Sequence, residues 1–220
     1  SWTIWAPPGC VTIAVAQIMN YHQFPRNYCD WSLVNQYNPK KLLEENDQDV
    51  LDEVALLSKK VAGGCRVECN FFGSGETFST PAKAKRFLRD MGYTGTEKHL
   101  GYDADVIKTT LNKGCPVFIG ALSSSNHGHA WVIDGYLNYE NIIKTYNGPA
   151  TLLETKTVNK LFVHCNWGWQ STRKNGYYAS KVFDTRNGPA DLSGYPVATR
   201  GIDTKNYTWW FRIVTYNKPR

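Results

Sequence analysis

Hydrophobic positions in the first half of the chain recur at the three- and four-residue spacing of amphipathic helices. Three such segments also carry the residue types that begin and end helices, an N-cap at the start and glycine at the end. The segments run from Asp47 to Gly63-Gly64, from Thr80-Pro81 to Gly92, and from Asp103 to Gly114. The pattern therefore predicts three surface helices.

A further helix is predicted at the beginning of the chain. It follows Pro7-Pro8-Gly9 directly, starts at Cys10, and has apolar residues through Ala14 and Ile18 before it ends at Pro25. This interpretation places the thiol of Cys10 at a helix N-terminus.

After Pro116 the pattern changes to short β-branched and aromatic runs bounded by Gly, Asn and Ser, which predicts strands. The runs cover residues 117–122, 130–136, 161–167, 176–179 and 209–216. Strands and helices do not alternate, so a doubly wound parallel sheet is not expected. We predict one α+β domain over residues 1–220, with a helical lobe at about 1–115 and an antiparallel β lobe at about 116–220.

Composition excludes several classes of protein. The 220 residues carry a net charge of +6, but the basic residues are scattered, so a nucleic-acid partner is not expected. No apolar run approaches the roughly 18 residues of a membrane helix, so membrane insertion is not expected either. The six cysteines are too few and too irregularly spaced for a disulfide framework or a zinc site, and no metal or cofactor is predicted.

Cys10 is the candidate nucleophile. A helix N-terminus offers unsatisfied backbone N–H groups and the positive end of the helix dipole, which both favour a thiolate. We therefore expect the pKa of Cys10 to lie well below the value of about 8.5 of a free thiol, with His129 protonated beside the thiolate as an imidazolium. A small buried thiol without chemistry is the alternative interpretation.

A thiolate nucleophile needs a base, and His129 is the best-placed of the five histidines. It follows a polar loop and begins the most apolar predicted strand, where a rigid backbone holds it. His22 lies near the end of the first helix, where a solvated cation is favourable. Asp134 is five residues along the strand from His129, at about 16 Å, so we interpret it as structural.

Asn166 and Trp167 end a later strand and complete the pattern. The side-chain amide of Asn166 can hold the imidazole of His129, and the indole of Trp167 can shield that hydrogen bond from water. Cys, His and Asn then follow one another in the order used by papain-like proteases.

Three segments resemble the streptopain family of bacterial cysteine peptidases. They are residues 9–25 around Cys10, residues 128–136 around His129, and Asn166-Trp167-Gly168-Trp169. The resemblance implies a papain-like fold with two lobes, and an active site between them. It implies Cys10 as nucleophile, His129 as general base and acid, Asn166 as the residue that orients His129, and Trp167 as the shield.

The same resemblance implies where the protein acts, what it cleaves and how it is made. Such a protein is a secreted or cell-envelope endopeptidase of broad specificity with a hydrophobic second subsite, made as a zymogen with an inhibitory N-terminal propeptide. Protein or peptide substrates are expected, with Gly128 and Ala130 beside His129 as substrate-binding residues.

The motifs leave two other functions open. The family supplies an oxyanion-hole glutamine upstream of the nucleophile, and none of the nine residues before Cys10 is glutamine. A catalytically impaired, peptidase-like binding protein is therefore one alternative. A Cys-His amidase or acyl transferase is another, because fold and triad do not name a substrate.

Overall fold

The computed structural model describes residues 8–38, 41, 45–69, 77–149, 151–169, 174–190 and 205–219. Most of its helices begin where a side chain accepts hydrogen bonds from the first backbone N–H groups. Asp47, Thr80 and Asp103 each cap a helix in this way, as the sequence predicted. The helices are α1 (Cys10–His22), α2 (Trp31–Val34), α3 (Gln48–Gly64), α4 (Pro81–Asp90) and α5 (Ala104–Asn112).

In the described residues, nine strands form two antiparallel sheets. They are β1 (Glu68–Cys69), β2 (Thr77–Phe78), β3 (Glu97–Leu100), β4 (Val117–Ser123), β5 (Gly128–Asn147), β6 (Thr151–Asn166), β7 (Gly176–Ala179), β8 (Phe183–Asp184) and β9 (Asn206–Thr215). The larger sheet has the order β3-β9-β4-β5-β6-β7, and β8 pairs with β9. Strands β1 and β2 form a separate pair. This arrangement confirms an α+β fold.

The large sheet separates two hydrophobic cores. Successive residues of a strand point to opposite faces, so Ala130 and Val132 of β5 pack with α1, whereas Trp131 and Ile133 pack on the other face. The first core, here the helical core, also contains residues of α3 and α4. The second, here the aromatic core, contains Trp167, Tyr178 and Tyr207.

The change from helices to strands near residue 115 is not the boundary between these cores. Strand β3 pairs with β9 in the large sheet, and Ile107 of α5 lies in the aromatic core. Both elements precede residue 115, so the aromatic core draws on both halves of the chain.

Strands β5 and β6 are much longer than predicted. The sequence predicted strands at 130–136 and 161–167, whereas β5 has 20 residues and β6 has 16. The additional residues pair from Asn138 opposite Leu161 to Asn147 opposite Thr151, with one register shift between Thr145 and Tyr146. Most of them are exposed on both faces, so they lack the alternation of a half-buried strand.

Within the described ranges, no helix is long and apolar enough to cross a membrane. The described cysteines Cys10, Cys29, Cys65, Cys115 and Cys165 are free thiols.

Candidate active site

Cys10 is the first residue of α1, as predicted, and Gly9 makes this start possible. Gly9 has φ of 82° and supplies no side-chain cap. A Cβ at this position would lie 2.4 Å from Oγ1 of Thr77 in β2. A residue with a side chain would clash there, so the close approach of the backbone to β2 requires glycine. The first backbone bond of the helix joins the N–H of Ile13 to the carbonyl of Gly9. The N–H groups of Cys10 and Val11 therefore lie outside the helical ladder.

The pKa of Cys10 shifts in the opposite direction from the one expected. Burial raises the pKa of the thiol, and hydrogen bonds with the backbone of Ala130, Val11 and Cys10 itself lower it only in part. The sequence shows the helix start but not the depth at which the thiol is buried, and desolvation of a thiolate is the larger effect here.

The backbone of Ala130 also brings Cys10 next to His129. Residues 129 and 130 are consecutive in β5, opposite Ala121 and Gly120 of β4. The thiol of Cys10 therefore lies beside the backbone of the residue that follows His129.

The imidazole of His129 is held by a backbone group. Its Nε2 lies 3.0 Å from the carbonyl oxygen of Trp167. A carbonyl can only accept a hydrogen bond, so Nε2 carries the hydrogen, and in the neutral ring Nδ1 is the nitrogen that can take a proton. This is the tautomer that a general base facing a thiol requires.

Aromatic rings surround the same imidazole. The ring centroid of His129 lies 5.0 Å from Trp169, 5.8 Å from Tyr207 and 5.9 Å from Trp167. Trp167 is buried, and it stacks on Trp131 at 4.6 Å. These rings keep water from the hydrogen bond between His129 and the carbonyl of Trp167.

In the hydrogen bonds that the structure assigns to it, the side chain of Asn166 contacts Gln17, Asn175 and Gly168 rather than the imidazole of His129. Its Oδ1 accepts from Nε2 of Gln17 at 2.9 Å, from Nδ2 of Asn175 at 3.2 Å and from the N–H of Gly168 at 3.2 Å. The sequence predicted that this amide orients His129. The carbonyl of the next residue, Trp167, lies at hydrogen-bond distance from the ring instead.

The segment after Asn166 packs directly on α1. Gly168 has φ of 69°, and a Cβ there would lie 2.6 Å from Cγ2 of Ile13. A cavity of about 240 Å³ lies next to this contact, lined by Gln17, Asn20, Tyr21, Pro116, Val132, Asp134 and Asn166. The Asn166 side chain therefore lies between α1 and β5.

The two predicted substrate-binding residues differ in exposure. Gly128 is exposed at the start of β5, whereas the side chain of Ala130 is buried in the helical core. Cys10 packs against the same core, and the Ala130 backbone also makes a hydrogen bond with its thiol.

Two other histidines have structural surroundings. His164 pairs with Asp134 at 2.5 Å, and this hydrogen bond raises the pKa of His164. His22 is not a solvated cation, because its ring packs on Tyr93 and Tyr216. Burial and, to a smaller extent, Lys218 lower the pKa of His22 to about 4.

Sequence reasoning missed four residues that shape the site. Gln17 and Asn175 hold the Asn166 segment, and Asn175 Oδ1 also accepts from the N–H of Trp167 at 2.9 Å. Trp169 and Tyr207 pack on the imidazole. Trp169 stood inside a recognised motif, but nothing in the sequence around Asn175 or Tyr207 indicates that they meet at His129.

Comparison with known protein families gives a match over most of the chain. The Peptidase C10 family matches the chain over residues 5–178, a range that contains all of the candidate catalytic residues. No curated protein matches the chain.

Proposed function

The chain belongs to the Peptidase C10 family, the streptopain family of cysteine peptidases, and from this premise we propose that it is a secreted bacterial endopeptidase that uses Cys10 and His129. One observation supports these residues above all. The Cys10 thiol lies at the backbone of Ala130, and the preceding residue, His129, has its Nε2 held by the carbonyl of Trp167.

The proposed reaction begins from a neutral pair. Because burial raises the pKa of Cys10, the thiol keeps its proton until a substrate carbonyl is in place, and the proton then moves to Nδ1 of His129 as the sulfur attacks. This differs from the standing thiolate and imidazolium that the helix start alone suggested. The backbone N–H of Cys10 is a donor for the oxyanion that forms.

The second half of the reaction returns both residues to their starting states. The protonated His129 gives its proton to the leaving amine, and a thioester with Cys10 remains. His129 then takes a proton from water, which attacks the thioester and releases the new carboxyl end. The thiolate of Cys10 leaves and recovers the proton from His129.

Trp209 and Trp210 are our candidates for the hydrophobic second subsite. The exposed fractions of their side chains are 45% and 40%, and Nε1 of Trp209 donates to the carbonyl of Ser123, where the loop leading to His129 begins. Trp210 has φ of 53°, a conformation that is costly for a large side chain. Replacing Trp209 with alanine should reduce the preference for hydrophobic peptides, whereas Tyr177→Ala, at another exposed ring, should not.

Export and activation are also proposed from family membership. We expect the protein in the culture medium or the cell envelope of its host, made with an N-terminal propeptide that inhibits it. Cell fractionation with detection of a longer precursor tests both points. A protein confined to the cytoplasm at its final length would contradict them.

The decisive experiment labels the thiols with iodoacetamide between about pH 5 and 9 and locates the modified cysteine by mass spectrometry. We expect Cys10 to react faster than Cys29, whose pKa is raised to about 11 by burial, and to lose that advantage in His129→Ala. Casein hydrolysis should disappear in Cys10→Ser and persist in Cys29→Ser. Equal labelling of both cysteines together with no hydrolysis would support the binding-protein alternative, and hydrolysis of amides other than peptides would support the amidase.

A further inference from the structure

Beyond the sheet, β5 and β6 continue as a two-stranded ribbon. Ile133 is the last residue of β5 that pairs with β4, and Phe162 is the first residue of β6 that pairs with β7 along the chain. We call residues 137–147 and 151–161 the arm. In the described part of the chain, the arm strands pair only with each other, apart from the Leu161 carbonyl at the base of the arm, which accepts a hydrogen bond from the N–H of Ser180.

The arm exposes apolar side chains that a free ribbon would normally avoid. Ile142 is 53% exposed and Leu153 is 62% exposed. The other exposed large apolar side chains of the arm are Leu137, Ile143, Tyr146 and Leu152. A two-stranded ribbon is only marginally stable in water, and an unpaired edge with apolar residues is a template for another strand. The arm therefore has the properties of a strand-pairing surface.

The outer edge of β5 is complementary to itself. In an antiparallel pairing of two copies centred on Ile142, Ile142 faces its own equivalent, and Glu140 of each copy faces Lys144 of the other. Both charged residues are exposed, and in the described residues neither makes an ion pair within its own chain. Opposite charges placed directly across from each other stabilise an antiparallel pair.

We infer that two copies of this chain dimerise through the β5 edges of their arms, in antiparallel register about Ile142. The two copies then form one four-stranded ribbon, related by a two-fold axis. Its apolar side chains gain neighbours from the second copy, and the unpaired backbone groups of both β5 edges are satisfied.

The β6 edge is a poorer candidate. Its register about Thr157 would also oppose Glu154 and Lys160, but β6 is interrupted. Glu154 pairs with Thr145 and Leu152 pairs with Tyr146, so Leu153 is an extra residue that forms a bulge. Bulges bend an edge and hinder pairing with another strand.

This dimer leaves the two active sites independent. About 13 residues of β5 separate Ile142 from His129, or roughly 45 Å of extended strand. Activity per chain should therefore be the same in the monomer and the dimer.

Sedimentation velocity over a concentration series tests the inference. The wild-type chain should dimerise, and Glu140→Lys and Lys144→Glu should each weaken the dimer by roughly ten- to thirtyfold, because two attractive pairs become repulsive. An equimolar mixture of the two variants should recover the dimer, since the charges are complementary only between unlike chains. The double variant E140K/K144E should recover it as well.

Glu154→Lys is the matched control, because it changes the same charge on the other edge of the arm. It should leave dimerisation unchanged. A wild-type chain that stays monomeric up to roughly 100 µM would overturn the inference. So would a dimer that Glu154→Lys disrupts and Glu140→Lys does not, or single variants whose mixture stays monomeric. Circular dichroism of each variant verifies that the fold is intact.

Discussion

Gln17 and Asn166 are 149 residues apart in the chain, and Nε2 of Gln17 donates a hydrogen bond of 2.9 Å to Oδ1 of Asn166. Gln17 belongs to the helix that begins with Cys10, and Asn166 precedes Trp167, whose carbonyl lies at hydrogen-bond distance from His129. One helix therefore positions both Cys10 and, through the Asn166 segment, His129.

Removing the side chain of Gln17 should impair turnover more than binding. In Gln17→Ala the Asn166 segment loses its hydrogen bond to α1, and the carbonyl of Trp167 shifts relative to His129. We expect kcat to fall roughly ten- to a hundredfold with KM little changed, and the pH dependence of kcat to shift. Gln36→Ala, which removes an exposed glutamine bonded only to the Ser32 carbonyl, is the control and should have no effect. A simple loss of thermal stability with unchanged kcat would contradict the positioning role.

Asn166 and His129 should differ in importance. His129→Ala removes the proton acceptor and should lower kcat/KM by roughly 10³-fold or more, whereas Asn166→Ala leaves the carbonyl of Trp167 in the chain and should cost only about ten- to a hundredfold. Steady-state kinetics on one peptide substrate measure both. Equal losses in the two variants would mean that the Asn166 amide orients the ring directly.

Gly168→Ala should destabilise the protein because of a steric clash with α1. The new Cβ would lie 2.6 Å from Ile13, at a φ of 69° that favours glycine. Clash and backbone strain together should cost about 2–4 kcal/mol in the free energy of unfolding, measured with urea. Gly114→Ala is the control, since Gly114 has φ of 71° and open space around it, so it should cost only about 1 kcal/mol. Adding Ile13→Ala should relieve part of the Gly168→Ala effect and none of the Gly114→Ala effect.

His22 should make the fold sensitive to acid. Its pKa is about 4 in the folded protein and near 6.5 when unfolded, so the unfolded chain binds more protons between these values. Stability should be constant with respect to this group above about pH 6.5 and fall by about 1–3 kcal/mol as the pH drops to about 4. In His22→Gln this loss should be absent from urea unfolding curves.

His164 is the control for that experiment, because its pKa is shifted upward by Asp134. Its contribution is complete below about pH 6.5 and is lost as the pH rises through its folded pKa. His164→Gln should therefore still lose stability as the pH falls toward about 4. Relative to the wild-type chain, it should be less stable only at pH values below the raised pKa of His164. An acid-side loss that survives in His22→Gln would have to come from other groups.

The parts of the fold that sequence predicted best are those with local signals. Thr80-Pro81 combines a cap with a proline at the first helical position, and the structure has α4 beginning there. The arm was missed because its residues are exposed on both faces, so no apolar period marks them as strands. Strand β3 was missed because its four residues, mostly polar, are stabilised by pairing with β9 far along the chain.

The candidate site likewise contains residues that local sequence signals predict and contacts that they do not. Cys10 and His129 could be predicted from a helix start and a strand start. The acceptor for His129 could not, because a backbone carbonyl carries no residue-specific signal and its place depends on how Gly168 packs on Ile13. The direction of the Cys10 pKa shift also depends on burial, which the local sequence does not show.

Cys10 and His129 pack with different hydrophobic cores on opposite faces of the large sheet, and substitutions can be made in each core separately. Cys10 packs with the helical core, and the rings around His129 belong to the aromatic core on the opposite face. Substitutions within the aromatic core should change the surroundings of the His129 ring and leave the position of the Cys10 sulfur unchanged. Substitutions around α1 should do the reverse. A designer seeking altered pH optima or altered thiol reactivity thus has two separate sets of positions, coupled mainly where Gln17 meets Asn166.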